Sequence, residues 1–224
     1  MFKYGSKKYM HLLAEKGEVK IGTIHGYKYM EEQKKGVYDP LDGEYINRLF
    51  IDDHTFNNGN PVKDAMLRSE LSPIFQGLDE IDTPIRISGI QFEDHRISPN
   101  RLVFCSSYEN SVSVMKEFDA ECCVQITNPK MFYMLITHEI SKLIETEFMG
   151  THKVNYGNYN RHNEIRLQQL PPELAKTRDY IGQKELRTMW YIPNEFMHLV
   201  DNDGYIFKIP QLKKFCKIVK VNPY

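Results

Sequence analysis

Short apolar or alternating runs recur along the chain, and helical periodicity comes between them only irregularly. Residues 18–23 (EVKIGT), 84–91, 102–105, 121–126 (ECCVQI), 148–155 and 185–192 have the length and the β-branched or aromatic content of strands. Two stretches read as helices. One covers apolar positions Met10, Leu12, Leu13 and Ala14 after a capping Ser6 and stops at Gly17; the other spans 130–144 behind Asn128-Pro129. Residues 27–32 and 171–176 read as helical turns, and 205–221 as a strand, a short helix opened by Pro210 and a last strand. A regular strand–helix alternation would dictate a parallel sheet, and it is missing. The expected class is therefore α+β, with a mainly antiparallel sheet and flanking helices.

At 224 residues with 41% hydrophobic content the chain can bury one core without a metal or disulfide staple. No linker composition interrupts it, so residues 1–224 read as a single domain, with a polar loop expected at 52–61 where three Asn, a Gly and a Pro gather. Twenty-nine basic against thirty acidic residues leave a net charge of -1, which excludes a generic coat for polyanions but not a local basic groove. The longest apolar run, 131–136, is far short of the ~18 residues of a membrane span, and the start of the chain lacks the apolar core of a secretory signal. Four cysteines without a C-x-x-C fit reduced thiols in a cytoplasm. The eight histidines show no metal-ligand spacing, so no metal is expected, and neither G-x-G-x-x-G nor a P-loop occurs.

Chemistry concentrates in three distant segments: Phe2-Lys3-Tyr4-Gly5-Ser6, Phe104-Cys105-Ser106-Ser107-Tyr108 and Tyr180-Ile181-Gly182-Gln183-Lys184-Glu185-Leu186-Arg187. On a strand, Gln183, Glu185 and Arg187 share one face, and Leu186, Thr188 and Trp190 the other. That pattern fits a half-exposed strand with an ion pair, or a site that presents an amide, a carboxylate and a guanidinium together. Residues 155–166 interleave Tyr156, Tyr159, Arg161, His162 and Arg166 with Asn and Gly, a composition that suits either a solvated loop or a surface that stacks on nucleic acid.

Taken together, the three segments resemble the ADP-ribosyltransferase superfamily. Tyr4-Gly5-Ser6 stands at its first motif, Phe104-Cys105-Ser106-Ser107 looks like its serine motif, and Gln183-Lys184-Glu185 looks like Gln-x-Glu. The chain departs from the pattern in having Lys3 and Tyr4, not His or Arg, before the glycine. The opening through Leu13, Gly17, Val19, Gly22, Tyr27 and Glu31, with Asp39-Pro40-Leu41-Asp42-Gly43 after it, is similar to related bacterial toxins and phage-defence effectors.

The resemblance implies a split antiparallel sheet and an enzyme that uses NAD as co-substrate to modify a macromolecule, and the Tyr156 to Arg166 stretch puts nucleic acid ahead of protein. Glu185 would be catalytic, meeting the positive charge that builds on the ribose as nicotinamide departs, and Gln183 would orient the acceptor. Lys3, Tyr4, Gly5, Ser6, Tyr27, Ser106 and Ser107 fall to cofactor binding, with Lys3 at the diphosphate, Tyr27 stacked on nicotinamide and the serines bracing the catalytic strand. Tyr156, Tyr159 and Arg161 fall to the acceptor. A toxin made in its own cell implies a neutralising antitoxin as partner. A silent binding module on the same scaffold and a simple NAD hydrolase are the alternatives.

Overall fold

The computed structural model describes residues 1–29, 42–72, 83–157, 160–162, 171–200 and 204–221. Its strands are β1 (Phe2–Gly5), β2 (Glu18–Thr23), β3 (Glu44–Phe56), β4 (Ile85–Ile97), β5 (Leu102–Ser107), β6 (Cys122–Ile126) and β7 (Glu147–Lys153). There follow β8 (Asn155–Gly157), β9 (Asn160–His162), β10 (Ala175–Thr177), β11 (Glu185–Tyr191), β12 (Tyr205–Lys208) and β13 (Cys216–Val219). The α-helices are α1 (Lys7–His11), α2 (Ile24–Tyr29), α3 (Pro61–Leu71), α4 (Val112–Glu117) and α5 (Pro129–Ser141). The class is α+β and the main sheet is antiparallel, as the patterning predicts. Residues 30–32 of the expected helical turn lie outside the described residues.

Two compact units emerge. The larger comprises Met1–Glu44, Ile97–Gly157 and Pro172–Tyr224; the smaller comprises Tyr45–Arg96 and Asn158–Pro171. The sequence reads as one domain because the chain passes between units at the first residue of β3 and the last of β4, where no linker composition marks the change.

In the larger unit eight strands pair in the order β12-β2-β5-β1-β6-β13, with β11 also on β5 and β7 beyond it. β11 covers β5 along its whole length, from Glu185↔Ser107 to Trp190↔Leu102. The opposite edge of β5 is shared. β2 takes its start, at Val103 and Leu102, and β1 takes its end, at Ser107, both antiparallel. Two strands thus lie end to end along one neighbour, and the ladder is open between them beside residues 104–106. One side of this sheet carries Phe104, Leu102 and Trp190, clustered with Phe132, Ile136 and Ile140 of α5. α5 begins where the sequence places it, with Pro129 in its first turn and the Asn128 side chain accepting a hydrogen bond from Met131 N. The Trp190 indole donates to Thr137 Oγ1 at 2.7 Å, so the largest buried side chain leaves no polar group unmet. Gly17 closes the first helix with φ 70°, after a π-helical stretch Leu12–Lys16. Ser6 is extended, but its side chain does not cap α1.

The smaller unit holds β4-β3-β9, with β9 parallel to β3, and the helix α3 capped by Asn60. Its core is Ile51, Phe56, Leu67 and Leu71. The polar loop expected at 52–61 shrinks to residues 57–60, because β3 runs on to Phe56 through the exposed Asp52 and Asp53, with Ile51 and Phe56 buried on either side of them in the chain.

Candidate functional site

The split edge of β5 is hollow. A cavity of about 290 Å³ is lined by residues of β1, α1, β2 and α2 together with Phe104. A second, of about 80 Å³, adjoins it through shared residues Lys3, Tyr4, Gly5 and Tyr27 and ends at Asp42, Cys105, Ser106, Lys176 and Glu185. Glycine makes the walls possible. A Cβ on Gly22 would stand 2.9 Å from the Tyr27 hydroxyl oxygen, so the phenol end of Tyr27 comes this close to β2 because the side chain is missing there.

Glu185 opens β11 at the deep end and is 1% exposed. Its Oε1 accepts a 2.8 Å hydrogen bond from Arg187 Nε. Lys176 Nζ lies 2.9 Å from Oε2 in a buried ion pair. Burial pushes the Glu185 carboxyl up, but the charges of Arg187 and Lys176 outweigh it and hold the group well below the usual carboxylate range. Arg187, also fully buried, is gripped in turn by Asp42 through two bonds of 2.6 and 3.0 Å and by the Glu173 carbonyl at 2.8 Å. Burial opposes its charge, and Asp42 and Glu185 more than restore it.

The backbone around Glu185 is pinned on three sides. Ser107 Oγ donates to Lys184 O at 3.0 Å and Ser106 Oγ to Leu186 O at 3.4 Å, one bond before and one after the carboxylate. Glu185 N donates to the Tyr156 hydroxyl at 2.9 Å. Lys3 Nζ donates to Cys105 O at 2.6 Å, on the edge of β5 where the ladder is open, and lies 4.7 Å from the centre of the Phe104 ring. Burial draws the Lys3 ammonium down, with Cys105 and Glu185 opposing. The Cys105 thiol is pushed up to about 12 by burial and then by Glu185, so at neutral pH it is a thiol and a poor nucleophile. Burial and then Cys105 raise the Tyr27 phenol well above its ordinary value.

The structure thus gathers Lys3, Tyr4, Gly5, Tyr27, Ser106 and Glu185 around one hollow, with Ser107 behind it. Ser6 lines the larger cavity, and its buried Oγ has no partner among the described residues. Tyr4 turns its hydroxyl away, donating to Glu109 O and accepting from Ser111 N, while its ring stacks on Phe118. Gln183 does not share a strand face with Glu185. It ends a 3-10 helix, Arg178–Gln183, and Lys184 follows at φ 50°, which breaks the alternation before β11 begins. Its buried amide oxygen accepts from Lys176 Nζ at 3.1 Å, so Gln183 and Glu185 meet through a lysine instead. Both faces of β11 are buried, which removes the half-exposed reading of this strand. Tyr156 supports the backbone of Glu185, Arg161 lies on β9 of the smaller unit, and Tyr159 lies outside the described residues, as do Asp39, Pro40 and Leu41.

Asp42, Lys176 and Glu173 are site residues that sequence reasoning did not select. Asp42 carried a signal, since it closes the Asp39-Pro40-Leu41-Asp42-Gly43 segment. Lys176 carried none. Comparison with protein-family models, with curated proteins and with solved structures finds no match to this chain. Among the described residues no helix is long and apolar enough to cross a membrane, and no group of three or more His, Cys, Asp or Glu side chains is placed to hold a metal ion.

Proposed function

We propose that the chain is an NAD-dependent mono-ADP-ribosyltransferase of the toxin or anti-phage type, acting on a macromolecule in the cytoplasm. The observation that carries this reading is a buried Glu185, flanked by Arg187 and Lys176, at the narrow end of a cleft beside the open edge of β5. In the reaction the bond from ribose C1 to the nicotinamide nitrogen breaks and nicotinamide leaves with the electron pair. Positive charge develops on the sugar, the acceptor's nucleophile bonds to C1, and the acceptor gives up its proton. A carboxylate ionised throughout the neutral range acts as an anion toward that charge, not as a proton donor. Oε2 accepts a ribose hydroxyl, and Arg187 and Lys176 keep the group charged in a site from which much of the water is excluded. Lys3 supplies positive charge near the diphosphate and Tyr27 a flat surface for nicotinamide. Nucleic acid ranks ahead of protein as acceptor on the aromatic and basic stretch 155–166.

The experiment is incubation of purified protein with labelled NAD and host lysate, treated or not with nuclease or protease, beside Glu185→Gln. The expected result is label in a macromolecular fraction that falls by about 10²- to 10³-fold in the variant, as loss of one electrostatic stabiliser does elsewhere. Equal labelling by folded Glu185→Gln overturns the assignment. A second reading, a silent binding module, is favoured by one observation: Tyr4, at the position where the family has a polar contact, spends its hydroxyl on Glu109 and Ser111. Absence of both label transfer and nicotinamide release would select it, and free ADP-ribose alone would select a hydrolase.

A further inference from the structure

Arg187 is fastened at places of particular meaning in the chain. Asp42 lies two residues before Glu44, where the larger unit gives way to the insertion, and Glu173 follows Pro172, where the chain returns. Their carboxylate and carbonyl oxygens hold the two Nη atoms, and Nε is left to reach Glu185. We infer that Arg187 is a positioning residue, which aims the Glu185 carboxylate into the cleft and is itself aimed by Asp42 and the Glu173 carbonyl.

The geometry argues for orientation over mere neutralisation. Lys176 already supplies one positive charge at 2.9 Å from Oε2. A second cation for charge alone would not need a planar fork bonded on three sides at full burial, an arrangement that desolvation makes expensive. The fork fixes the Nε–H direction, and with it the rotation of the carboxylate that turns Oε2 toward Lys176 and the small cavity. The inference rests on the reading of Glu185 as the catalytic group, and it adds that the aim of Glu185 depends on how the two roots of the insertion are held.

Arg187→Lys keeps the charge and loses the fork, because an ammonium cannot grip Asp42 twice and reach Glu185 as well. In the folded variant the expected result is a kcat lower by about 10²-fold, as for a misplacement of about 1 Å, with the KM for NAD unchanged. Wild-type kcat in folded Arg187→Lys, or a loss carried wholly by KM, overturns the inference. If this variant does not fold, Asp42→Asn is read by the same split, since it keeps both side chains Arg187 and Glu185 and weakens only the grip on the fork.

Should the wild-type protein release no nicotinamide, the functional reading fails and the positioning is decided separately. The carbon-13 resonance of the Glu185 carboxyl, identified by its loss in Glu185→Gln, is followed against pH. Arg187, Lys176, Lys3, Cys105, Tyr27 and Tyr156 are the charged or titratable groups that face it. In the wild type the resonance stays in its ionised position down to about pH 4, below the ordinary glutamate value. In Arg187→Lys, which keeps the positive charge and loses the Nε–H bond to Oε1, the resonance is displaced from its wild-type position across the ionised range; an unchanged resonance overturns the inference.

Discussion

Two arginines in this chain hold an aspartate with both arms of a fork, in opposite surroundings. In the smaller unit Arg86 Nε and Nη2 donate to Asp53 at 2.8 and 2.9 Å, with side chains 69% and 52% exposed. In the larger unit Arg187 Nη1 and Nη2 donate to Asp42 at 2.6 and 3.0 Å, with side chains 0% and 2% exposed. The contacts are nearly the same and the physics is not. Water and salt compete for the exposed pair, and its two long side chains give up freedom to meet, so it adds little to stability. The buried pair has lost its water altogether, and each charge depends on the other. Local geometry therefore says little about the importance of an ion pair, and burial says most. The buried pair is also the one that continues, through Arg187 Nε, to the carboxylate at the cleft.

The sharpest way to break the comparison is to remove one aspartate from each pair. Asp42→Ala leaves a guanidinium buried beside a vacancy and should lower unfolding free energy by about 3–5 kcal/mol, read from urea denaturation at neutral pH. Asp53→Ala should leave the urea midpoint where it was, and a comparable loss at both positions would show that burial is not the deciding variable.

Acid provides the next test. Because the folded-state carboxyl of Glu185 lies below its ordinary value of 4.5, its contribution to stability is complete above that value and drains away as pH falls below it. Midpoints measured from pH 7 down to about 3 should fall steeply at the acid end in the wild type and less steeply in Glu185→Gln. The smallest effect concerns salt. At about 1 M sodium chloride the double-mutant coupling between Arg86 and Asp53 should vanish, while that between Arg187 and Asp42 should persist; equal loss at both would equate the two environments.

Locally encoded elements were legible in the sequence. Residues 18–23 form β2 as expected, Pro129 opens α5, Pro210 opens the short helix between β12 and β13, and Gly17 stops the first helix. Each depends on side chains a few positions apart. β3 was hidden because its second half carries loop-like residues, among them the adjacent exposed Asp52 and Asp53, and Gln183 was misplaced because nothing in its spelling marks the left-handed Lys184 that ends the 3-10 helix. At the site, Glu185, Ser106 and Ser107 were selected through the resemblance of their segments, and the structure places them beside one another on β11 and β5. Asp42 meets Arg187 across 145 positions, and no pattern in either neighbourhood names the other. Lys176 sits in a three-residue strand with no periodicity to read.

The open edge of β5 has a consequence for when this protein can act during its own synthesis. Among the described residues β1 finds its strand partners at Ser107 and at residues 122–125, and Glu185 is braced by serines laid down some eighty residues earlier. Closing loops of that size before any contact rewards them is slow, and no early fragment of the nascent chain contains Lys3, Asp42, Cys105, Lys176 and Glu185 together. The small cavity at Glu185 comes into being only after the ribosome has passed Arg187, and nothing can bind there while the chain is still shorter than that.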